Sequence, residues 1–285
     1  MKKTLIAAAV AGALVAPGVV LAQATATSPH TFTANVGVVS DYVFRGISQT
    51  KGKPAIQGGF DYSHSSGLYA GTWLSSISWV GDAQARSVPT EIDLYAGFKN
   101  TIGKTDFGYD VGVISYNYPG SKDTIANASA KADTVEVYGA LSWKWLTVKY
   151  SHTVSDHFVG WYGGATGTNT NVNTRGSNYL ELNAAYDLGN GWGINGHVGK
   201  QEVNNYIASG ATDASYVDWK IGVTKDVGFG VVGLAYSDTD NKGTCTQAGG
   251  TSAYCWSTYV PGGTSNINFK DVSRGTAILS FTKTF

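Results

Sequence analysis

The stretch TEIDLYAGFK, residues 90–99, alternates apolar and polar side chains with a period of two residues. One phase is apolar and the other mostly polar: Ile92, Leu94, Ala96 and Phe98 oppose Glu91, Asp93, Tyr95 and Gly97. This period is that of a β-strand with one apolar face and one wet face. The wet face carries two carboxylates. The kind of sheet therefore depends on whether this face or the apolar face points into the protein.

Eleven further segments have strand patterns: 31–45, 54–63, 67–75, 106–118, 133–142, 146–153, 178–187, 192–200, 216–225, 229–237 and 275–285. The connections after even-numbered strands are short, such as 143–145, whereas those after odd-numbered strands are mostly long, such as 154–177 and 238–274. Bacterial outer-membrane barrels sort their connections in this way, with short periplasmic turns and long outer loops. We therefore predict an all-β fold, a transmembrane antiparallel up-and-down β-barrel of about 12 strands with both termini in the periplasm.

Strand length and aromatic placement agree with a membrane barrel. A strand of about ten residues, tilted by about 45°, rises roughly 24 Å, close to the apolar band of such barrels. The aromatic residues of the apolar phase fall into two predicted belts: Phe60, Tyr62, Phe98, Phe107, Tyr109, Tyr186, Trp192 and Phe285 near the turns, and Tyr42, Phe44, Trp219 and Tyr236 near the loops. The alternative is that these residues are core aromatics of a soluble barrel.

The N-terminus is predicted to be a secretory signal peptide over residues 1–22, which leaves a barrel domain over 23–285. Lys2 and Lys3 precede an apolar run, and Leu21-Ala22 provides a small residue at the cleavage point. The alternative, a membrane anchor, needs about 20 apolar residues, and Pro17-Gly18 interrupts the run. We expect export through the Sec pathway. Removal of the two lysines leaves 18 basic and 20 acidic residues, a balance that disfavours nucleic acid as a partner.

Two cysteines, Cys245 and Cys255, lie in a polar stretch near the C-terminus. In an oxidising compartment we expect them to form a disulfide. Such a bridge closes a short loop and contributes at most about 3 kcal/mol. The alternative is a pair of free thiols.

The chain lacks the sequence patterns of the common catalytic and metal centres. It contains no Gly-x-Ser-x-Gly, Cys-x-x-Cys or His-Glu-x-x-His motif, and DTDNKG, residues 238–243, places Lys242 where a calcium ligand is needed. SHTVSDH, residues 151–157, leaves open a lipase built on Ser155 and a histidine. We predict no enzyme activity, no metal and no cofactor.

The polar strand phase is predicted to face the lumen of the barrel. The proposed pore-lining residues are Asp41, Arg45, Asp61, Glu91, Asp93, Tyr95, Asp110, Glu136, Lys149, Glu181, His197, Asp218 and Lys220. The excess of carboxylates toward the loop end predicts an acidic constriction that favours cations. The alternative is that these charges pair into a plug and nothing passes.

The first predicted strand, 31–45, ends within the stretch SDYVFRGISQT, residues 40–50. In the predicted strand, Tyr42 and Phe44 face lipid in the outer aromatic belt, whereas Asp41 and Arg45 face the lumen near the mouth. Four residues of a strand span roughly 13 Å, so Asp41 and Arg45 cannot pair with each other. Arg274 is the expected partner of Asp41 if the first strand closes against the last.

Several motifs together resemble the TorF-like porins of proteobacteria: SDYVFRGISQT (40–50), PAIQGGFDYSH (54–64), GLYAGTW (67–73), EIDLYAGF (91–98), YDVGV (109–113) and LSFTKTF (279–285). The resemblance implies a barrel in the outer membrane of a Gram-negative bacterium, in contact with lipid, with a porin function for small solutes or ions and no established substrate. It also implies that the terminal Phe285 is recognised by the barrel-assembly machinery. The alternative function is a closed structural or surface-interaction barrel that acts through its long loops, 154–177 and 238–274.

Overall fold

A computed structural model of the chain describes residues 28–84, 87–121, 131–161, 173–206, 213–241, 243–258 and 267–285. The predicted signal peptide, residues 1–22, and part of the loops 154–177 and 238–274 lie outside these ranges. Within them, no helix is long and apolar enough to span a membrane. A short helix, α1, covers Trp79–Gln84.

Twelve antiparallel strands form one closed barrel, in which each strand pairs with its neighbours in the chain and the last strand pairs with the first. We number them β1 (His30–Val39), β2 (Ala55–His64), β3 (Leu68–Ser76), β4 (Thr90–Thr101), β5 (Phe107–Asn117), β6 (Thr134–Trp143), β7 (Leu146–Thr153), β8 (Asn178–Gly189), β9 (Trp192–Glu202), β10 (Tyr216–Asp226), β11 (Val231–Thr239) and β12 (Thr276–Thr284). The predicted fold class, an up-and-down barrel of about 12 strands, is confirmed.

The barrel closes through the C-terminal residues. Phe281 of β12 lies opposite Val38 of β1 on one side and Val232 of β11 on the other. At the end of the chain, the Phe285 amide donates to the Ala34 carbonyl at 2.8 Å, and the Ala34 amide donates back to Phe285 at 3.2 Å. The sheet therefore has no free edge between its first and last strands, as a sheet in a bilayer requires.

The two ends of the barrel differ in the length of their connections. At the turn end, β6 and β7 are joined by Lys144 and Trp145 alone, and β8 and β9 by Asn190 and Gly191. Asn190 and Gly191 both have positive φ, at 53° and 76°, which suits the tight turns that follow the twist of a hairpin. At the loop end the connections are long, for example 40–54 and 203–215.

The apolar phase of each strand faces outward. On β4, Leu94 is 54% exposed, whereas Glu91 on the opposite face is 2% exposed. The same arrangement holds around the barrel, whose exposed apolar residues include Phe32, Val38, Ile56, Phe60, Leu68, Leu141, Leu180, Ile221, Leu234 and Leu279. The barrel thus has an apolar outer surface and a polar interior, the reverse of a soluble barrel.

The prediction that the first strand runs to residue 45 is wrong. β1 ends at Val39, and Val43–Phe44 pairs with Ile47–Ser48 in a small hairpin folded into the lumen. We call residues 41–50 the inner hairpin. Its turn is Arg45-Gly46, with φ of 47° and 79°; a Cβ added at Gly46 would lie 2.5 Å from the Asp218 Cβ, so the turn requires glycine.

Tyr42 and Phe44 are therefore not part of the outer aromatic belt. Tyr42 is 3% exposed and its ring lies edge-on to Trp73, with 5.3 Å between centroids. Phe44 lies edge-on to Tyr116 at 5.6 Å. Both rings pack against aromatic residues inside the barrel. The alternation of the sequence does not predict this burial. Trp219 and Tyr236 do lie exposed on the outer surface, at 43% and 42%.

Candidate functional site

The loop-side half of the lumen is organised around Arg45 at the tip of the inner hairpin. Its guanidinium makes a two-pronged ion pair with Glu136 of β6, at 2.7 Å (Nη2–Oε2) and 3.1 Å (Nη1–Oε1). It also donates to Gln201 Oε1 at 2.9 Å and lies 4.3 Å from the centre of the Tyr179 ring. The two charged side chains are 8% and 1% exposed, so this is a buried, charge-assisted contact.

Asp41 holds the base of the inner hairpin. Its Oδ1 accepts hydrogen bonds from the Ser48 hydroxyl at 2.5 Å, from the Thr50 hydroxyl at 2.9 Å and from the Gly52 amide at 3.2 Å. The expected partner, Arg274, instead donates to Asp271 at 2.7 Å. The prediction of an Asp41–Arg274 pair is therefore wrong. Because the chain turns back after β1, the hydroxyls of Ser48 and Thr50 occupy the position next to Asp41.

Two more carboxylates lie on β4. Glu91 accepts a hydrogen bond from the Tyr42 hydroxyl at 2.8 Å. Asp93, two residues further on the same face, is 6% exposed, and its Oδ1 has no hydrogen-bond partner among the described residues. In the register of the sheet, Asp93 lies between Trp73 of β3 and Tyr116 of β5.

A polar network continues on β8, β9 and β10. Asp218 accepts from the Tyr179 hydroxyl at 2.7 Å, and its other oxygen lies 3.0 Å from His197 Nε2. His197 Nδ1 lies 2.8 Å from Asn183 Oδ1, and the Asn183 amide donates to Glu181 at 2.8 Å. Lys220 is opposite His197 in the register.

The turn-side half of the lumen is lined by tyrosines held by carboxylates. Tyr95 donates to Asp61 and Tyr69 donates to Asp110, each at 2.5 Å. Tyr138 meets the Tyr69 hydroxyl. A Cβ added at Gly71 or at Gly97 would lie about 2.5 Å from the ring of Tyr95 or Tyr69, so these rings lie flat on glycines of the wall.

All thirteen predicted lumen residues have buried or half-buried side chains, and the contacts above link most of them inside the barrel. That they line an open pore stays a prediction. Sequence reasoning missed Tyr179 and Gln201, which both contact Arg45. Tyr179 falls in the same strand phase as Glu181, so the alternation could have found it; Gln201 lies just beyond the predicted end of its strand.

The loop end is covered by packed connections. Trp79 of α1 lies 5.9 Å from Trp256, and Tyr254 donates to the Ala214 carbonyl at 2.6 Å. Lys51 forms an ion pair with Asp82 at 3.0 Å; burial lowers the pKa of Lys51, and the Asp82 carboxylate opposes that shift. Together these contacts tie Lys51, which follows the inner hairpin, to α1, and α1 to the last loop.

The predicted disulfide is confirmed. Cys245 and Cys255 are bonded, with an S–S distance of 2.06 Å. The bond joins two short β-pairs of the last loop, Cys245–Thr246 with Gly249–Gly250 and Cys255–Thr258 with Ile267–Asp271.

The candidate lipase residues do not form a nucleophile pair through their side chains. The Ser155 hydroxyl donates to the main-chain carbonyl of His157 at 3.0 Å and accepts from the Val135 amide at 3.0 Å. An activated serine instead needs its hydroxyl against a base such as imidazole. Within the described residues, no group of three or more His, Cys, Asp or Glu side chains could hold a metal ion.

Residues 23–260 match the model of the Gcw_chp family, described as a bacterial protein of unknown function. No curated protein matches the chain. Among solved structures, similar folds include the KdgM porin (6% identity, TM-score 0.48, covering 90% of this chain and 98% of that one) and the NanC porin (10%, 0.46, 90% and 99%). A TodX mutant described as a monoaromatic hydrocarbon channel is a third (12%, 0.43, 91% of each chain). With TM-scores below 0.5, these similarities are no basis for assigning a solute.

Proposed function

Because this chain belongs to the Gcw_chp family of bacterial proteins of unknown function, we propose its role from the barrel itself: an outer-membrane channel for passive passage of small hydrophilic solutes. The observation that carries the proposal is the reversal of polarity across the wall. Leu94 faces outward at 54% exposure while Glu91 and Asp93, on the same strand, face inward at 2% and 6%. A wall of this kind separates a lipid phase from a polar lumen.

The outer surface supports a membrane location. A soluble monomer rarely exposes apolar patches larger than a few hundred Å², whereas here exposed apolar residues occur on every strand of the barrel. We infer that lipid covers this surface and that both termini lie in the periplasm, on the side of the short turns. The resemblance to TorF-like porins, and a C-terminal Phe285 that is 69% exposed, support assembly by the outer-membrane machinery.

The lumen supports a preference for cations. Eight of the thirteen lumen residues are acidic and three are basic. The excess of carboxylates persists in the loop-side half, where Asp41, Glu91, Asp93, Glu136, Glu181 and Asp218 accompany Arg45 and Lys220. Carboxylates that line a pore favour cations.

The inner hairpin supports a second candidate, a closed barrel. It crosses the loop-side lumen and binds the far wall through Glu136 and Gln201. If the hairpin stays in place, the lumen admits solutes from the turn end only, and the protein would act through its loops. Transport therefore distinguishes the two candidates.

A liposome assay tests the channel. Proteoliposomes that contain the refolded protein are expected to swell in small sugars and amino acids, and liposomes without protein are the control. In a salt gradient, the sign of the reversal potential is expected to show cation selectivity. No swelling from barrels that still shift in mobility on an unheated gel would favour the closed barrel, and anion selectivity would contradict the acidic constriction.

A further inference from the structure

Several sites in the described interior bring a cation of the chain close to both a carboxylate and an aromatic ring, and two of them serve as examples. Arg45 pairs with Glu136 and lies over the Tyr179 ring at 4.3 Å. Lys149 lies over the Tyr138 ring at 4.5 Å and opposite Glu181 in the register. Carboxylate and aromatic face are each attractive to ammonium and guanidinium groups, more so where water is excluded.

Asp93 has two aromatic neighbours in the register of the sheet but no cation of the chain paired with it among the described residues. Trp73 and Tyr116 flank it on the neighbouring strands. Glu91 and Glu136 both act on it as like charges. Among the described residues no basic side chain forms an ion pair with Asp93, and its Oδ1 is buried without a hydrogen-bond partner. An ionised carboxylate in this state is costly, and a cation from outside the chain would offset that cost.

Asp93 also lies where a solute would arrive. On β4, Glu91 lies two residues nearer the loop end, is 2% exposed and accepts a hydrogen bond from the Tyr42 hydroxyl. Tyr95, one step nearer the turn end, is half-buried and bonded to Asp61. Asp93 is therefore the first carboxylate of the loop-side half that is reached from the turn-side half along this strand.

We propose that Asp93, with the rings of Trp73 and Tyr116, binds the ammonium or guanidinium group of a solute at the boundary between the two halves of the lumen. The site deepens the proposed channel function, on which it rests, by naming organic cations as the solute class. The aromatic rings favour an organic cation over an inorganic one, because the alkyl chain or the planar guanidinium that carries the charge can also pack against the rings.

The test is calorimetric titration of the refolded protein in detergent with putrescine, a diamine, and with 1,4-butanediol, its uncharged analogue. Putrescine is expected to bind and butanediol is not. Asp93→Asn is expected to weaken putrescine binding at least tenfold. Asp61→Asn is the matched control: its carboxylate is already bonded to Tyr95, so affinity is expected to stay within about twofold. If Asp93→Asn fails to fold, Trp73→Leu is the second variant to test. It is expected to weaken putrescine binding severalfold.

Two results would overturn the proposal directly: an affinity for putrescine that Asp93→Asn leaves unchanged, or equal binding of butanediol. A third would be the complete loss of putrescine binding in potassium chloride but not in sucrose, which would assign the site to inorganic cations. Because the titration needs no bilayer, it separates the two claims. Putrescine binding to a barrel that carries no current would overturn the channel and keep the site, whereas current without binding would do the reverse.

Discussion

Arg45 at the tip of the inner hairpin and Glu136 on the barrel wall form a buried two-pronged ion pair across 91 residues of sequence, with 2.7 Å between Nη2 and Oε2. This contact fixes a hairpin inside a barrel that would otherwise be lined by its wall alone. The hairpin is also bonded at its base through Asp41. The width of the lumen in its loop-side half therefore depends on contacts that single substitutions can remove.

Arg45→Ala is expected to destabilise the protein and to increase conductance. Removing one partner of a buried ion pair leaves the other uncompensated, at a cost of about 3–5 kcal/mol, and it also releases the hairpin tip. Thermal unfolding and single-channel current measure the two effects.

The double variant Arg45→Ala/Glu136→Ala separates these effects. With both charges gone, part of the stability should return while the conductance stays high. Arg274→Ala is the control, since that side chain is 63% exposed in its pair with Asp271 and exposed pairs contribute about 0–1 kcal/mol. A double variant with wild-type current would contradict a blocking role for the hairpin.

Asp93→Asn is expected to raise the melting temperature in the absence of solute. The substitution removes a buried charge that has no partner of opposite sign in the described chain, and an uncompensated buried charge is costly. Asp218→Asn should lower the melting temperature, because Asp218 is bonded to Tyr179 and His197. Differential scanning calorimetry would show opposite signs, and a fall for Asp93→Asn would mean that its carboxylate is compensated.

Gly46→Ala is expected to displace the inner hairpin. Gly46 has a φ of 79°, and its added Cβ would lie 2.5 Å from the Asp218 Cβ; strain of this kind costs about 1–3 kcal/mol. Gly139→Ala in β6 is the matched control, since a Cβ there meets nothing within 4 Å. Chemical denaturation should show a loss of stability for Gly46→Ala only. Equal losses of stability in Gly46→Ala and Gly139→Ala would indicate that the contact between Gly46 and Asp218 imposes no additional strain.

Removal of Phe285 is expected to reduce the amount of barrel in the outer membrane. The residue follows β12 directly and its main chain makes two hydrogen bonds to Ala34, so its loss is expected to weaken closure as well as the proposed recognition by the assembly machinery. Cell fractionation with unheated gel mobility measures the folded amount. Phe32→Ala, which truncates another exposed aromatic residue of the outer surface, should assemble normally; equal losses in both would point to a general effect of outer aromatic residues.

The barrel could be predicted from the sequence because its determinants are local. Alternation in stretches such as 90–99 shows two unlike faces, and the contrast between the predicted turn at 143–145 and the predicted loop at 154–177 shows two unlike ends. The cysteine pair was equally local, since Cys245 and Cys255 are separated by ten positions.

The inner hairpin could not be predicted, because distant partners determine it. Tyr42 and Phe44 alternate with polar residues as outer-belt residues do. What places them inside is Glu91, Trp73 and Tyr116 on other strands, and the turn at Arg45-Gly46 in place of a continuing strand. Asp41 and Arg45 have polar partners, but those partners depend on how the chain folds back into the lumen.

Single-channel recording in a planar lipid bilayer tests the central claim most directly. We expect the refolded wild-type protein to give small, discrete current steps that carry more cations than anions, and Arg45→Ala/Glu136→Ala to give larger steps. A bilayer that contains folded, heat-modifiable barrels but shows no current from either protein would contradict the channel and leave the closed barrel as the function.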